Sequence, residues 1–529
     1  MFIPLTPLRC LHRAVDLYAR KIGVVCGEKQ FTYAEFGARC EKLAGALAVA
    51  GICPGDRVAC LSFNTHQLLE AYFGVVQAHA IVMPLNVRLT AAELAAILQH
   101  AEPRMLFFEN EFAATVAQLR ASCPGIERFV SLDDPVDVAD LTYEELLATG
   151  RAERADIFAF EENSVAELFY TSGSTGAPKG VALSHRTLYL HALSVATVLM
   201  NDDSYVDLHT IPLFHANGWG RPQCSTLMGL KQVMVRRFEP TTVFSLIEKH
   251  RATHMALVPT MGYALLNSPD IGKYDLSSLK LIMFGGAASS PELIERMERT
   301  FGCTCVAGYG LTETAPVVTL ARPKSTLRIE SESERYRRQA HTGWAIPNVE
   351  LRVVDPHMRD VPKDGQTMGE IVVRSDHVME GYYKEPAETA AAITDGWLHT
   401  GDMAVWDEED FVLIMDRKKD IIISGGENIS SLEIEKAILA HPDVYECAVV
   451  SSPDPHWGET PAAIVHPKPE TSLSEEGLRE FLATRLAKFK IPRHIQFTEV
   501  PLPKTGTGKI RKRELREQFW AGKEKRVQG

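Results

Sequence analysis

The stretch YTSGSTGAPKG, residues 170–180, decides how this chain is read. Seven of its eleven residues are Gly, Ser or Thr. Such a run is either a flexible linker or a loop whose backbone N–H groups and hydroxyls wrap phosphate oxygens. The flanks favour the loop. Apolar AELFY (166–170) reads as a strand and LSHRTLYLHALSVATVLM (183–200) as a long helix, so the loop falls at a strand-to-helix junction, where α/β proteins hold phosphate. It is not the P-loop NTPase motif. Lys179 follows Pro178 and precedes Gly180, whereas that motif opens its helix with Gly-Lys-Ser/Thr.

Outward from the loop the elements alternate. RVACLSF (57–63) predicts a strand, HQLLEAYFGVVQAHA (66–80) a helix and IVMPLN (81–86) a strand. LTAAELAAILQHA (89–101) predicts a helix that Thr90 and Glu93 open as a capping box, and MLFFE (105–109) another strand. After the loop, HMALVPT (254–260) and LKLIMFGGA (279–287) repeat the rhythm, the second running into a helix start at Ser290-Pro291. The fold class expected is α/β, with helices covering parallel or mixed sheets on both sides in a large N-terminal domain. Beyond about residue 345 short strands with turn residues between them predict a small β-barrel-like part. From 432 onward two helices alternating with short strands predict a small mobile α+β domain. The boundary is placed in DRKKD (416–420), giving domains 1–416 and 417–529 with a hinge near 417–420.

At 529 residues the chain is too long for one core, and 45% hydrophobic with 23% charged fits a globular enzyme. A formal charge of −12 argues against nucleic acid as a partner, since binding a phosphate backbone needs a broad basic surface. One local exception is the segment 504–526, with nine Lys and Arg against three Glu, either a solvated face or a landing place for a small polyanion. Ten scattered cysteines match neither a disulfide framework nor a Cys-x-x-Cys zinc pattern, and are expected as reduced, mostly buried thiols. The first twenty residues lack the layout of a signal peptide, and no run of eighteen apolar residues predicts a transmembrane segment, so a cytoplasmic location is the default expectation.

Five stretches together, YTSGSTGAPKG, YGLTET (309–314), LHTGD (398–402), DRKKDIIISGGENIS (416–430) and PLPKTGTGKIRK (501–512), resemble in order and spacing the core motifs of the adenylate-forming superfamily, in its acyl-CoA synthetase branch. The resemblance spans nearly the whole chain. It implies that a carboxylate attacks the α-phosphate of ATP to give an acyl-adenylate and pyrophosphate, and that the acyl group then passes to the thiol of CoA. Thr171, Ser172, Gly173, Ser174, Thr175, Gly176 and Lys179 are implied as the loop over the β- and γ-phosphates. Thr312 is implied at the α-phosphate and Glu313 at Mg²⁺. Tyr309 and Gly310, with Gly286 and Ala287, are implied around adenine, and Asp402 and Arg417 at the ribose. Lys509 is implied to bridge the acid's carboxylate and the α-phosphate. Lys419 matches the hinge, while Gly425, Gly426 and Glu427 match the pantetheine tunnel.

For the acid, the resemblance places His215 of IPLFHANGWG (211–220) near the reacting carboxylate. Trp219, Val258, Gly285 and Val317 are expected as the pocket wall, and a bulky indole there suits a short- or medium-chain or a compact arylalkanoic acid. The implied partners are therefore a small carboxylic acid, ATP, Mg²⁺ and CoA, with a homodimer left open. The chain departs from the motifs at Ala307, where several relatives carry Gln, and at Ser431, where many carry Pro. The alternatives to a CoA ligase are an acyl-AMP ligase that loads a carrier protein or makes an amide, and a non-catalytic nucleotide-binding or scaffold protein of the same fold, against which Lys509, Glu313, Asp402 and Arg417 speak.

Overall fold

The Gly/Ser/Thr loop joins two strands, where a strand and a helix were expected. The computed structural model describes residues 2–172, 178–199, 202–425, 427–469, 471, 473–504 and 510–521. In it Val165–Ser172 and Pro178–Ser184 form an antiparallel pair with Tyr170 opposite Gly180 and Thr171 opposite Lys179. The helix starts only at His185, where the Ser184 hydroxyl accepts the Thr187 N–H at 3.2 Å. The misreading has a physical cause. Val181, Ala182 and Leu183 are all buried, and a short apolar run has no period that separates strand from helix.

Packing divides the chain into two compact units, Met1–Leu351 with Val373–Leu398, and Arg352–Val372 with His399–Gly529. The first unit contains two sheets among its described residues. In one, the strands Thr304–Gly310, Leu281–Phe284, His254–Leu257, Val206–His209, Lys231–Met234 and Ile22–Cys26 run parallel in that spatial order, with antiparallel strands added at both edges. In the other, Val165–Ser172, Ile81–Pro84, Arg57–Leu61, Met105–Phe108, Arg128–Ser131 and Leu141–Thr142 run parallel, and the hairpin strand Pro178–Ser184 continues the sheet to Gly381–Tyr382. Strands such as Met105–Phe108 are buried throughout, as helices on both faces of a parallel sheet require. The expected capping box is present: Thr90 N–H donates to Glu93 Oε2 at 2.8 Å and Glu93 N–H to Thr90 Oγ1 at 3.3 Å. The expected helix start also holds, with Ser290 as cap and Pro291 in the first turn.

The small β part is a five-stranded sheet made by Val349–Val354, Gly369–Ser375, Trp397–Trp406, Ile393–Thr394 and Val412–Arg417. Asp402 stands opposite Arg417 in it, so the chain on both sides of residue 416 belongs to one sheet. The second unit also holds a sheet in which Val444–Asp454 and Gly458–Pro467 are long strands of 11 and 10 residues, where short ones were expected. It has three α-helices among its described residues, Ser431–Leu439, Glu475–Ala483 and Lys512–Trp520, where two were expected. The third lies in the basic terminal segment, and its Leu515 packs with Ala448, Val450, Ala462 and Ile464. Charge concealed an amphipathic helix there. None of the ten cysteines is in a disulfide, and eight are buried. Among the described residues no helix is long and apolar enough to cross a membrane.

Candidate active site

The hairpin strand that carries Lys179 is covered by a segment over 180 residues downstream. Gly381 and Tyr382 pair with Ala182 and Val181, and the Tyr383 N–H donates to the Gly180 carbonyl at 2.7 Å. The helix Pro386–Ala392 follows, opened by proline and carrying Glu388 in its first turn. Glu388 forms an ion pair with Lys179, whose ammonium also lies 5.0 Å from the centroid of the Tyr382 ring. The Tyr382 hydroxyl in turn donates to Glu313 Oε1 at 2.9 Å. One connected group of side chains therefore runs from Glu388 through Lys179 and Tyr382 to Glu313.

Glu313 sits in the turn Thr312–Thr314, which is fixed from two sides. On the strand side, Tyr309 stands opposite Thr319 and Gly310 opposite Val317. A Cβ on Gly310 would lie 1.8 Å from the Pro316 carbonyl oxygen, so this strand approach needs glycine. Behind the turn, His377 Nδ1 donates to the Thr314 carbonyl at 3.1 Å, and His191 Nε2 accepts the Val317 N–H at 3.0 Å. Burial lowers the His377 pKa to about 4 and holds His191 well below its ordinary value, with His377 adding to the effect on His191. Both imidazoles are thus neutral supports near neutral pH.

A second cluster forms where the segment 209–220 crosses the first unit. Asn64 Nδ2 donates to the His209 and Ile211 carbonyls at 2.9 and 3.0 Å, and its Oδ1 accepts the Leu213 N–H at 2.7 Å. The Tyr72 hydroxyl donates to the Leu213 carbonyl at 2.6 Å. After the partly buried His215 the backbone turns left-handed for five residues, with φ of 43° at Ala216, 44° at Asn217, 56° at Gly218, 64° at Trp219 and 72° at Gly220. Three of these are not glycine, and each costs about 1–2 kcal/mol in that region. The result is that the Trp219 indole lies over the glycines: a Cβ on Gly285 would stand 2.9 Å from it, and one on Gly286 3.6 Å from it and 3.2 Å from Val258. Trp219 and Val317 are buried in one apolar cluster, with Val258 packed against it. The four residues expected around the acid are therefore together. Beneath them the fully buried Glu167 accepts from Gln223 Nε2 at 2.6 Å and Asn217 Nδ2 at 3.3 Å. Burial raises its pKa to about 8 against the lowering effect of these two donors, and no cation offsets it.

In the second unit Arg417 Nε meets Asp402 Oδ1 at 2.7 Å, with the Asp402 carboxylate buried and the guanidinium half-exposed. Lys419 is exposed in the turn that follows, and its carbonyl accepts from Arg516 at 3.2 Å. Gly425 has φ of 59°, and its N–H donates to the Trp457 carbonyl at 2.8 Å. Trp457 lies so close that a Cβ on Gly425 would meet its ring at 2.5 Å. Glu427 opens the next strand and is exposed. In the first unit Thr171 is half-buried at the strand end, Ser172 closes that strand, and Ala287 is exposed beyond Gly286. Gly173, Ser174, Thr175, Gly176, Gly426 and Lys509 lie outside the described residues. Among the described residues no three His, Cys, Asp or Glu side chains gather as a metal cage. A magnesium ion that keeps its waters asks for less, one carboxylate beside phosphate, and Glu313 fits because among the described residues only its Oε1 is engaged.

The family model for AMP-binding enzymes matches residues 11–383, and that for the AMP-binding enzyme C-terminal domain matches 433–509. The chain belongs to the AMP-binding enzyme family. The resemblance in the five motifs is thereby borne out. A long-chain fatty-acid–CoA ligase of Thermus thermophilus is 41% identical over 519 residues, covering 96% of this chain and 94% of that protein. A peroxisomal butyrate–CoA ligase of Arabidopsis thaliana is 35% identical over 536 residues, covering 97% and 93%. The solved structure of an anthranilate CoA ligase in complex with anthranoyl-AMP superposes with a TM-score of 0.87 at 25% identity, over 98% of each chain. An α/β fold of this kind, with a large N-terminal part and a smaller C-terminal one, is what the alternating elements predicted.

Within this AMP-binding enzyme, sequence reasoning missed Tyr382, Glu388 and Glu167. The stretch GYYKEPAET (381–389) carries the first two, and its Gly-Tyr and Pro give a turn and a helix start but no hint of a partner at 179 or 313. Glu167 had a signal. A carboxylate inside the apolar run AELFY must find donors when the strand is buried.

Proposed function

We propose that the protein is an ATP-dependent acid–CoA ligase that forms an acyl-adenylate with release of pyrophosphate and passes the acyl group to CoA. The arrangement Lys179–Tyr382–Glu313 carries this reading. A lysine ammonium and a carboxylate oxygen with no partner among the described residues lie close together there, a pairing that would suit the phosphates and a magnesium ion. The chemistry needs both. A carboxylate about 4 Å from a phosphate charge is repelled by roughly 4 kcal/mol at an effective dielectric near 20, and fixed positive groups must offset that. Lys179 would hold the leaving pyrophosphate together with Thr171, Ser172, Ser174 and Thr175, and Glu313 would hold Mg²⁺, which supplies charge neutralisation there. Thr312 would contact the α-phosphate. Tyr309, Gly310, Gly286 and Ala287 would surround adenine, and Asp402 with Arg417 would hold the ribose.

Lys509 would bridge the acid's carboxylate and the α-phosphate, contributing where charge develops and therefore to rate more than to ATP affinity. His215 and the wall of Trp219, Val258, Gly285 and Val317 would take the acid. The indole over Gly285 limits depth and favours a short- or medium-chain or compact arylalkanoic acid, in keeping with the butyrate and anthranilate named for two relatives and shorter than the acid named for the Thermus protein. Transfer to the thiol needs the adenylation groups out of the way, which assigns a hinge to Lys419, mobility to 417–529 against 1–416, and the tunnel to Gly425, Gly426 and Glu427. A cytoplasmic setting and a homodimer belong to the same proposal.

The test is AMP and thioester formation with Mg-ATP over acids from acetate to palmitate and several aryl acids, with and without CoA. CoA-dependent AMP release that peaks at one acid, and falls about 100-fold or more in Lys509→Ala with the KM for ATP changed less than about threefold, is the expected result. Pyrophosphate release without CoA consumption would replace it with an acyl-AMP ligase that serves a carrier or an amine.

A further inference from the structure

Glu167 lies on the strand Val165–Ser172, fully buried, and faces no cation among the described residues. Its two oxygens are spent on Gln223 Nε2 and Asn217 Nδ2. Asn217 is the second of the five left-handed residues, and Gln223 lies in the helix Arg221–Leu227 that follows them. One donor thus lies within the run and the other just beyond it. Glu167 thereby ties the run to the helix that follows it. Such a backbone, with Ala216, Asn217 and Trp219 all at positive φ, persists only where its surroundings over-determine it. Other restraints act within the run, where the Gly220 N–H donates to the Asn217 side-chain oxygen and the Gly218 N–H to the His215 carbonyl, and just after it, where Arg221 pairs with Asp207; the rest act upstream or by shape. Asn64 and Tyr72 stop at Leu213, and the His191 ring merely backs Gly220, where a Cβ would meet it at 2.3 Å.

We propose that Glu167 is a specificity-determining positioning residue, whose carboxyl holds the run 216–220 in the conformation that lays Trp219 across Gly285 and Gly286 and so sets the depth of the acid pocket. This rests on the reading that Trp219 lines the acid site. Glu167 touches neither acid nor nucleotide; it acts through Asn217. When the bond to Asn217 is lost, three strained residues relax toward ordinary φ and the indole leaves the glycines. The pocket then deepens, and longer acids gain over shorter ones.

The experiment measures kcat/KM for butyrate and decanoate, with the KM for ATP, in wild type and three variants. Glu167→Gln turns an amide group toward one of the two donors, and the decanoate-to-butyrate ratio is expected to rise at least tenfold, with the KM for ATP within twofold. Adding Gln223→Glu exchanges donor and acceptor across the same contact and is expected to return the ratio to within threefold of wild type. Asn217→Gly cuts the bond from the other side at a φ that glycine accepts, together with the bond from the Gly220 N–H to the Asn217 side-chain oxygen, and is expected to raise the ratio at least as much as Glu167→Gln. Parallel loss on all acids, a ratio unmoved by Asn217→Gly, or a ratio not restored in the exchanged pair overturns the inference and leaves Glu167 a packing residue. A wild type that forms no acyl-CoA from any acid overturns the function proposed above as well, so the two failures are distinct.

Discussion

Gly310→Ala tests whether the strand end before the turn Thr312–Thr314 is held as tightly as the geometry requires. The added Cβ would sit 1.8 Å from the Pro316 oxygen and 2.5 Å from its carbonyl carbon, where 3.0 Å is the closest approach a Cβ tolerates. Both atoms are backbone, so no side chain can turn away. The strands Thr304–Gly310 and Val317–Leu320 must part by about 1.2 Å at this point, and Tyr309, Thr312 and Glu313 move with them. A displacement of about 1 Å in groups that position a reacting centre lowers the rate on the order of 100-fold, or about 2.7 kcal/mol in the barrier. Acid-dependent AMP formation at saturating CoA is the assay, with the melting temperature measured in parallel. Gly302→Ala is the control. It has φ of 64° with open space around it, so it strains a helix end by about 1–2 kcal/mol and leaves activity unchanged. A Gly310→Ala enzyme within threefold of wild type would refute the claim that this strand pair fixes the nucleotide site.

Three further outcomes are expected. Arg221→Met leaves Asp207 fully buried without its bidentate guanidinium partner, keeping only Ser225 Oγ at 2.7 Å and His209 Nε2 at 3.6 Å. Urea unfolding should therefore show a loss of about 3–5 kcal/mol, and a loss under about 1 kcal/mol contradicts it. Glu388→Gln removes a carboxylate that would compete with phosphate for Lys179 in the proposed role, but Glu388 is 42% exposed and such pairs contribute about 0.2–1 kcal/mol, so the KM for ATP should fall by no more than about fivefold. The third concerns pH. Burial raises Glu167 from 4.5 to about 8, so between those values the native state keeps a proton that the unfolded chain has released, and stability falls as pH rises through the window. Glu167→Gln should flatten that slope in unfolding experiments between pH 5 and 8, and an unchanged slope removes Glu167 as its source.

Local chemistry was legible from the residues alone. The alternation of 57–109 announced helices over parallel strands, Thr90 with Glu93 and Ser290 with Pro291 announced helix starts, and the five motifs announced the family. Each signal is encoded within a few residues of where it acts, as a hydrophobic period, a cap or a loop composition. What needed the tertiary structure is every pairing over long sequence separation. Pro178–Ser184 is a strand because its apolar residues sit between Val165–Ser172 and a two-residue strand at 381–382, a neighbour invisible from residue 180. Lys179 meets Glu388, and Glu313 meets Tyr382, for the same reason. The left-handed run at 216–220 is equally unreadable, since ANGWG by itself permits ordinary conformations. The tertiary structure sets that run beside the buried carboxyl of Glu167, some fifty residues earlier in the chain, which accepts from the Asn217 side chain within it and from Gln223 beyond it.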